Sequence, residues 1–164
     1  MTEPTPMHPM KTTENPITLA LQDVLASTYG LYLATHNYHW NVEGAKFVPL
    51  HALFGAQYNE LFIAIDEIAE RIRTLGEYAL PFEGENIVSL LKTVSNPLNK
   101  EPDANARADR MVHNLIALNE EVISSCQAAK ELCQEAYDDE SENVMVGRIT
   151  VHQKALWMLK SIVK

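Results

Sequence analysis

The run His39-Trp40-Asn41-Val42-Glu43-Gly44, followed by Phe47, Leu50-His51 and then Asp66-Glu67-Ile68-Ala69-Glu70-Arg71, decides how this chain is read. From Phe47 to Leu75 the apolar side chains fall at Leu50, Phe54, Tyr58, Leu61, Ile65, Ile68, Ile72 and Leu75. That is helical spacing, and it predicts one continuous helix. Pro49 lies in the first turn, where its missing N–H costs nothing, and Gly76 stands where a C′ glycine ends a helix. Polar side chains on such a helix need a reason. Two histidines and an i,i+4 carboxylate pair, Asp66 and Glu70, make up a ligand set that suits iron, zinc or manganese.

Distance constrains that set. His51 and Asp66 are fifteen positions apart on the helix, which at about 1.5 Å per residue is roughly 22 Å. Metal–ligand bonds are about 2 Å, so these two side chains of one straight helix cannot share an ion. If they act together, the carboxylates come from a second copy of the chain, as an antiparallel two-fold pairing of this helix would allow.

Working outward, residues 1–15 hold Pro4, Pro6 and Pro9 and a single basic side chain, Lys11, and are expected to form a flexible tail. The folded domain is expected over 16–164. Asn15-Pro16 is a helix start, a capping residue followed by Pro at N1. Ile17, Leu21, Leu25, Tyr29, Tyr32 and Leu33 carry a first helix towards Gly44. Beyond the long second helix, Ile87, Leu90 and Leu91 predict a short helix closed by Asn96-Pro97. Pro102 is expected to start a third long helix, with Met111, Leu115, Leu118, Val122, Cys126, Ala129 and Cys133 on one face. The acidic turn 137–142 follows, with Asp139 and Glu142 at capping-box spacing. A last helix runs through Val146, Ile149, His152, Leu156, Leu159 and Ile162. No strand-like alternation competes. The expected fold is all-α: a ferritin-like four-helix bundle with a short helix in the crossover between helices two and three.

Composition narrows the function classes. A 164-residue chain with 46% hydrophobic residues is one domain with ample core. Its net charge of −9 and pI of about 5.1 repel nucleic acid and anionic membrane and attract cations. Cys126 and Cys133 are seven apart, about 10 Å along a helix, too far for a bond within it. They read as free thiols in a reducing compartment, and with no spanning or signal segment the expected location is cytoplasmic. No histidine has Glu three residues before it, which disfavours an intra-subunit di-iron bundle site. No nucleotide, nucleophile or zinc-finger motif is present.

The residues His39-Trp40-Asn41-Val42, Gly44, Phe47, Leu50-His51, Tyr58, Asp66, Ala69-Glu70-Arg71 and Leu75-Gly76 together resemble the Dps family of mini-ferritins. Arg148, His152, Lys154 and Trp157-Met158-Leu159 extend the resemblance, which covers about residues 17 to 163. It implies a hollow dodecamer whose ferroxidase sites oxidise Fe(II), preferably with hydrogen peroxide, and whose cavity stores ferric iron. It implies His39 and His51 as ligands from one subunit, Asp66 and Glu70 from its partner, and Trp40 as a redox-active neighbour; without it Trp40 reads as core or interface. Asp138, Asp139 and Glu142 resemble the acidic lining of the family's pores, although its usual Asp is here Asn143.

Two departures shape the expectation. The family carries Asp or Glu four residues after the second histidine, and this chain has Gly55. A second metal position beside His51 is therefore expected to be weak, and Gly55→Asp to refill it. Many members bind DNA through a lysine-rich tail, and this tail is not lysine-rich, so weak or absent DNA binding is expected. The rival readings are an architectural DNA-coating shell, or a shell with an impaired second metal position that mainly sequesters metal. The separation of His51 from Asp66 also yields a direct expectation. Light scattering under native conditions should find a closed oligomer; a monomer with and without metal would refute a site shared between copies.

Overall fold

The structure is a computed structural model that describes residues 15–79 and 101–164. Four helices account for nearly all of them: α1 Pro16–Asn41, α2 Phe47–Thr74, α3 Ala104–Ala136 and α4 Asp139–Ile162, with no strand among the described residues. The tail and the short helix expected around Ile87 to Leu91 lie outside the described residues.

The helix ends follow local chemistry. Asn15 caps α1, its Oδ1 accepting from the Ile17 N–H at 3.0 Å, with Pro16 at N1. Asp103, not Pro102, begins α3: its carboxylate accepts from the Ala106 N–H at 2.9 Å. The acidic turn is also capped one residue earlier than its spacing suggests. Asp138, rather than Asp139, accepts from both the N–H (3.0 Å) and the hydroxyl (2.7 Å) of Ser141. The turn arrives there because Tyr137 ends α3 at φ 57°, a left-handed conformation that redirects the chain within one residue.

α1 lies between α2 and α3, and α3 lies between α1 and α4, while α2 touches α4 sparsely. Consecutive helices α2 and α3 are therefore not close neighbours, the helix arrangement that the ferritin-like expectation requires. Leu21, Leu25, Leu31, Tyr38, Leu50, Phe54, Ile68, Ile72, Met111, Leu115, Met145 and Leu159 fill the interior. The apolar stripe read for α2 is the buried one apart from Tyr58 and Leu75, which are half-buried. In α4 the expected stripe holds at His152 and Leu159, which are buried, and at Ile149, Leu156 and Ile162, which are half-buried; it misses at Val146 and omits three inward residues. Ser141, Met145, Arg148, His152 and Leu159 point inward, and Val146 is 43% exposed.

The inward face also carries a buried polar chain. Arg148 grips Glu60 of α2 with both terminal nitrogens, one of them at 3.0 Å, and donates to His152 Nε2 at 3.1 Å. His152 must then carry its proton on Nδ1, which donates to Asn119 Oδ1 of α3 at 2.9 Å; the Asn119 amide donates in turn to the Leu115 carbonyl at 2.7 Å. A cation inside a bundle demands such partners. The chain ties α4 to α2 where apolar contact between them is thin.

Burial, followed by the charge of Arg148, pushes the His152 imidazole from 6.5 down to about 3. Between those values the unfolded chain binds a proton at this side chain that the folded chain does not, so stability is lost as pH falls below the unfolded value. The loss cannot exceed about 1.4 kcal/mol per pH unit for one proton. His152→Gln, which cannot titrate, should show a smaller fall in urea midpoint than the natural chain between pH ~7 and ~5.5. An equal fall in both would place the proton uptake elsewhere.

Candidate metal centre

The turn between α1 and α2 is built to hold two histidines against each other. Gly44 adopts φ 90°, and a Cβ there would come within 2.5 Å of Asn105 Oδ1, so glycine is required on both counts. The same Asn105 oxygen accepts from the Ala45 N–H at 2.9 Å, and Lys46 pairs with Asp109 at 2.7 Å. Both contacts fasten the turn to the start of α3. Val42, 1% exposed, closes the end of α1 over the core.

On this frame the His39 and His51 rings stack, centroids 3.8 Å apart and planes 21° from parallel. His39 Nδ1–H donates to the His51 carbonyl at 2.8 Å, and His51 Nδ1–H donates to the His39 carbonyl at 2.8 Å. A carbonyl can only accept, so each neutral ring is fixed as the Nδ1–H tautomer and keeps its lone pair on Nε2. This is how metal-binding imidazoles are commonly prepared. The His39 carbonyl lies in the last turn of α1, where it lacks an intrahelical donor, so the His51 ring also satisfies a helix end.

Aromatic rings surround the pair. Tyr58 meets His39 edge-on at 5.1 Å, and Phe47 lies 5.1 Å from His51. His36 is stacked on Tyr58 at 4.2 Å and tilted against Trp40 at 4.1 Å. Burial and then the nearby His39 lower the His36 pKa from its usual value. Trp40 itself is 64% exposed, so it is not core. The spacing of His36, three to His39 and four to Trp40, is the sequence signal that places all three on one side of α1.

Asp66 and Glu70 lie on the same straight α2 as His51, both exposed and neither engaged in an ion pair among the described residues. Phe62 (64% exposed) and Ile63 (68%) precede Asp66 by one turn. The carboxylates thus rise from an apolar strip open to solvent. Among the described residues no three His, Cys, Asp or Glu side chains gather as one metal-holding group. Of the sequence-selected residues the structure brings together His39 and His51, sets Trp40 against His36 rather than against that pair, and leaves Asp66 and Glu70 apart from them.

Other candidates separate clearly. Asp138 is occupied: Arg71 reaches it at 2.7 Å, and although burial alone would raise its pKa, the Ser141 and Arg71 hydrogen bonds hold it below the usual carboxylate range. Glu142 accepts from Gln134 at 2.6 Å. Of the three acidic residues likened to a pore lining, only Asp139 is exposed with its side chain unpaired among the described residues. Cys126 and Cys133 are buried and free, and burial pushes the Cys126 thiol up to about 11, which keeps it protonated. His113 is exposed.

The comparisons with known proteins fit this geometry. A ferritin-like domain model matches residues 18–164, so the fold and the imidazole pair belong to a ferritin-like protein. An uncharacterized low temperature-induced protein of Nostoc is 33% identical over 149 residues, covering 90% of this chain and 79% of its own. A DNA protection during starvation protein of Brevibacillus brevis is 29% identical, covering 90% and 95%. The crystal structure of the Dps protein of Vibrio cholerae O1, described as one of the ferritin-like diiron-carboxylate proteins, superposes with TM-score 0.74 at 26% identity, covering 90% and 89%. The chain is a member of the Dps family.

Proposed function

We propose that the chain is a mini-ferritin subunit that oxidises Fe(II), preferentially with hydrogen peroxide, at sites completed between two copies, and that a dodecameric shell stores the ferric product in the cytoplasm. One observation carries the reading. His39 and His51 are set with their Nε2 lone pairs available, while Asp66 and Glu70 lie about 22 Å and about 28 Å beyond His51 along the same helix. Each chain therefore holds two complementary halves of one ligand set. The exposed apolar strip at Phe62 and Ile63 beside the carboxylates supports burial against a second copy, since apolar surface of this kind marks contact regions. Among the described residues no helix is long and apolar enough to cross a membrane.

Iron is the substrate. His39 and His51 offer neutral imidazoles, and the partner copy supplies two carboxylates, a set that binds Fe(II) while leaving positions open for the oxidant. Each Fe(II) gives up one electron; peroxide takes two electrons and two protons and leaves as two waters. The carboxylates favour the higher charge of the ferric product, and the aromatic wall of Tyr58, His36 and Trp40 borders the imidazole pair. The protein's part is to fix ligand position and charge.

Asp66→Ala or Glu70→Ala should lower the initial rate of peroxide-driven Fe(II) oxidation by about tenfold or more with helicity unchanged. Unchanged rates in both variants would move the centre elsewhere. The architectural alternative rests on the names of relatives, and charge argues against it. At a net charge of −9 there is little to release counterions from duplex DNA, so a gel shift at physiological salt should show weak binding. Tight, salt-sensitive binding without divalent ions would favour the DNA-coating reading.

A further inference from the structure

Gly55 stands where the family carries a carboxylate, and the structure shows what occupies the space. A Cβ built on Gly55 would lie 3.2 Å from His39 Cε1 and 3.4 Å from His39 Nδ1. The cause lies in the hydrogen bonding. Within α2 the intrahelical donor to the His51 carbonyl is the N–H of residue 55. His39 Nδ1–H donates to that same carbonyl at 2.8 Å. Two donors converging on one oxygen bring the His39 ring down onto the backbone of residue 55. A ring placed there leaves no comfortable room for a side chain.

We infer that Gly55 is a positioning residue: its missing Cβ lets the His39 imidazole settle on α2 and close the reciprocal bond with His51 that fixes both tautomers. The ring has little freedom to yield. His51 stacks on it at 3.8 Å and Tyr58 meets it edge-on at 5.1 Å. The backbone beneath is also held, since Asn59 donates to the Gly55 carbonyl at 2.8 Å. Shifting the ring by a few tenths of an ångström stretches the bond to His51, and the lock loosens. The gap at 55 is thus filled by His39, and Gly55→Asp does not simply restore a ligand, because it first displaces one. The consequence for metal rests on the function proposed above. The site lacks that carboxylate and keeps a pair of preset imidazoles, and so favours a single first-row divalent cation.

Gly147 supplies the control. It also lies inside a helix, and a Cβ there would meet nothing within 4 Å. Full-length assembled protein with ¹⁵N-labelled histidine, metal-free and at mildly alkaline pH, would be compared by solid-state NMR as the natural chain, Gly55→Ala and Gly147→Ala. Co(II) binding, followed by its visible spectrum, would be measured on the same three proteins. The natural chain and Gly147→Ala should show His39 and His51 as Nδ1–H tautomers. Gly55→Ala should show a mixture at His39 and bind Co(II) about 10–100-fold more weakly, as loss of a ligand-orienting contact does. Because alanine favours helix and has open space at 147, Gly147→Ala should not melt earlier than the natural chain, and Gly55→Ala should keep its helicity. Unaltered tautomers and affinity in Gly55→Ala would overturn the proposal. If the natural chain binds no Co(II), the metal reading fails, and the tautomers alone still decide the role of Gly55.

Discussion

The bond each imidazole gives to the other residue's carbonyl is the interaction on which the functional end of this molecule depends. It joins the end of α1 to the start of α2, satisfies a helix-end carbonyl, and fixes two tautomers at once. Everything around it serves the approach of the two backbones. Gly44 makes the turn, Asn105 and Asp109 hold it to α3, and Gly55 gives the His39 ring its seat. A single-residue change in the turn would act on the rings without touching them.

Midway along the bundle the same problem, polar groups inside a helical core, has another solution. Arg148 is 4% exposed, yet its charge is met by Glu60, and its neighbour His152 is kept neutral and passed on to Asn119. Buried pairs of this kind add little net stability against an apolar replacement, but losing one partner is costly. Here they define which face of α4 turns inward. A hydrophobic stripe alone selects Val146 and passes over Arg148.

This explains what was legible in the sequence and what was not. The α2 stripe, the Asn15-Pro16 start, the Gly76 stop and the free buried cysteines follow from periodicity and cap chemistry, which act locally. The ligand types and the distance between His51 and Asp66 were equally available, because helix rise converts sequence separation into length. Three things were hidden. The inward face of α4 depends on partners from α2 and α3, which no local pattern reveals. The Asp138 cap depends on where Tyr137 turns left-handed, a shift of one residue. The role of Gly55 depends on a ring from another helix; from sequence it reads only as a missing carboxylate, and its physical meaning is space.

The length of α2 has a further consequence under the proposed pairing. A subunit with imidazoles at one end of a helix and carboxylates at the other is donor and acceptor together, so a two-fold pair contains two sites, each made from opposite ends. Consider a mixed pair in which one copy lacks its imidazoles and the other its carboxylates. Both defects fall into the same site, and the remaining site is fully natural. Two individually inactive chains would thus complement one another to half of the normal number of centres. The helix acts as a lever that separates cause from effect, and damage to one subunit is felt in the neighbour's chemistry as much as in its own.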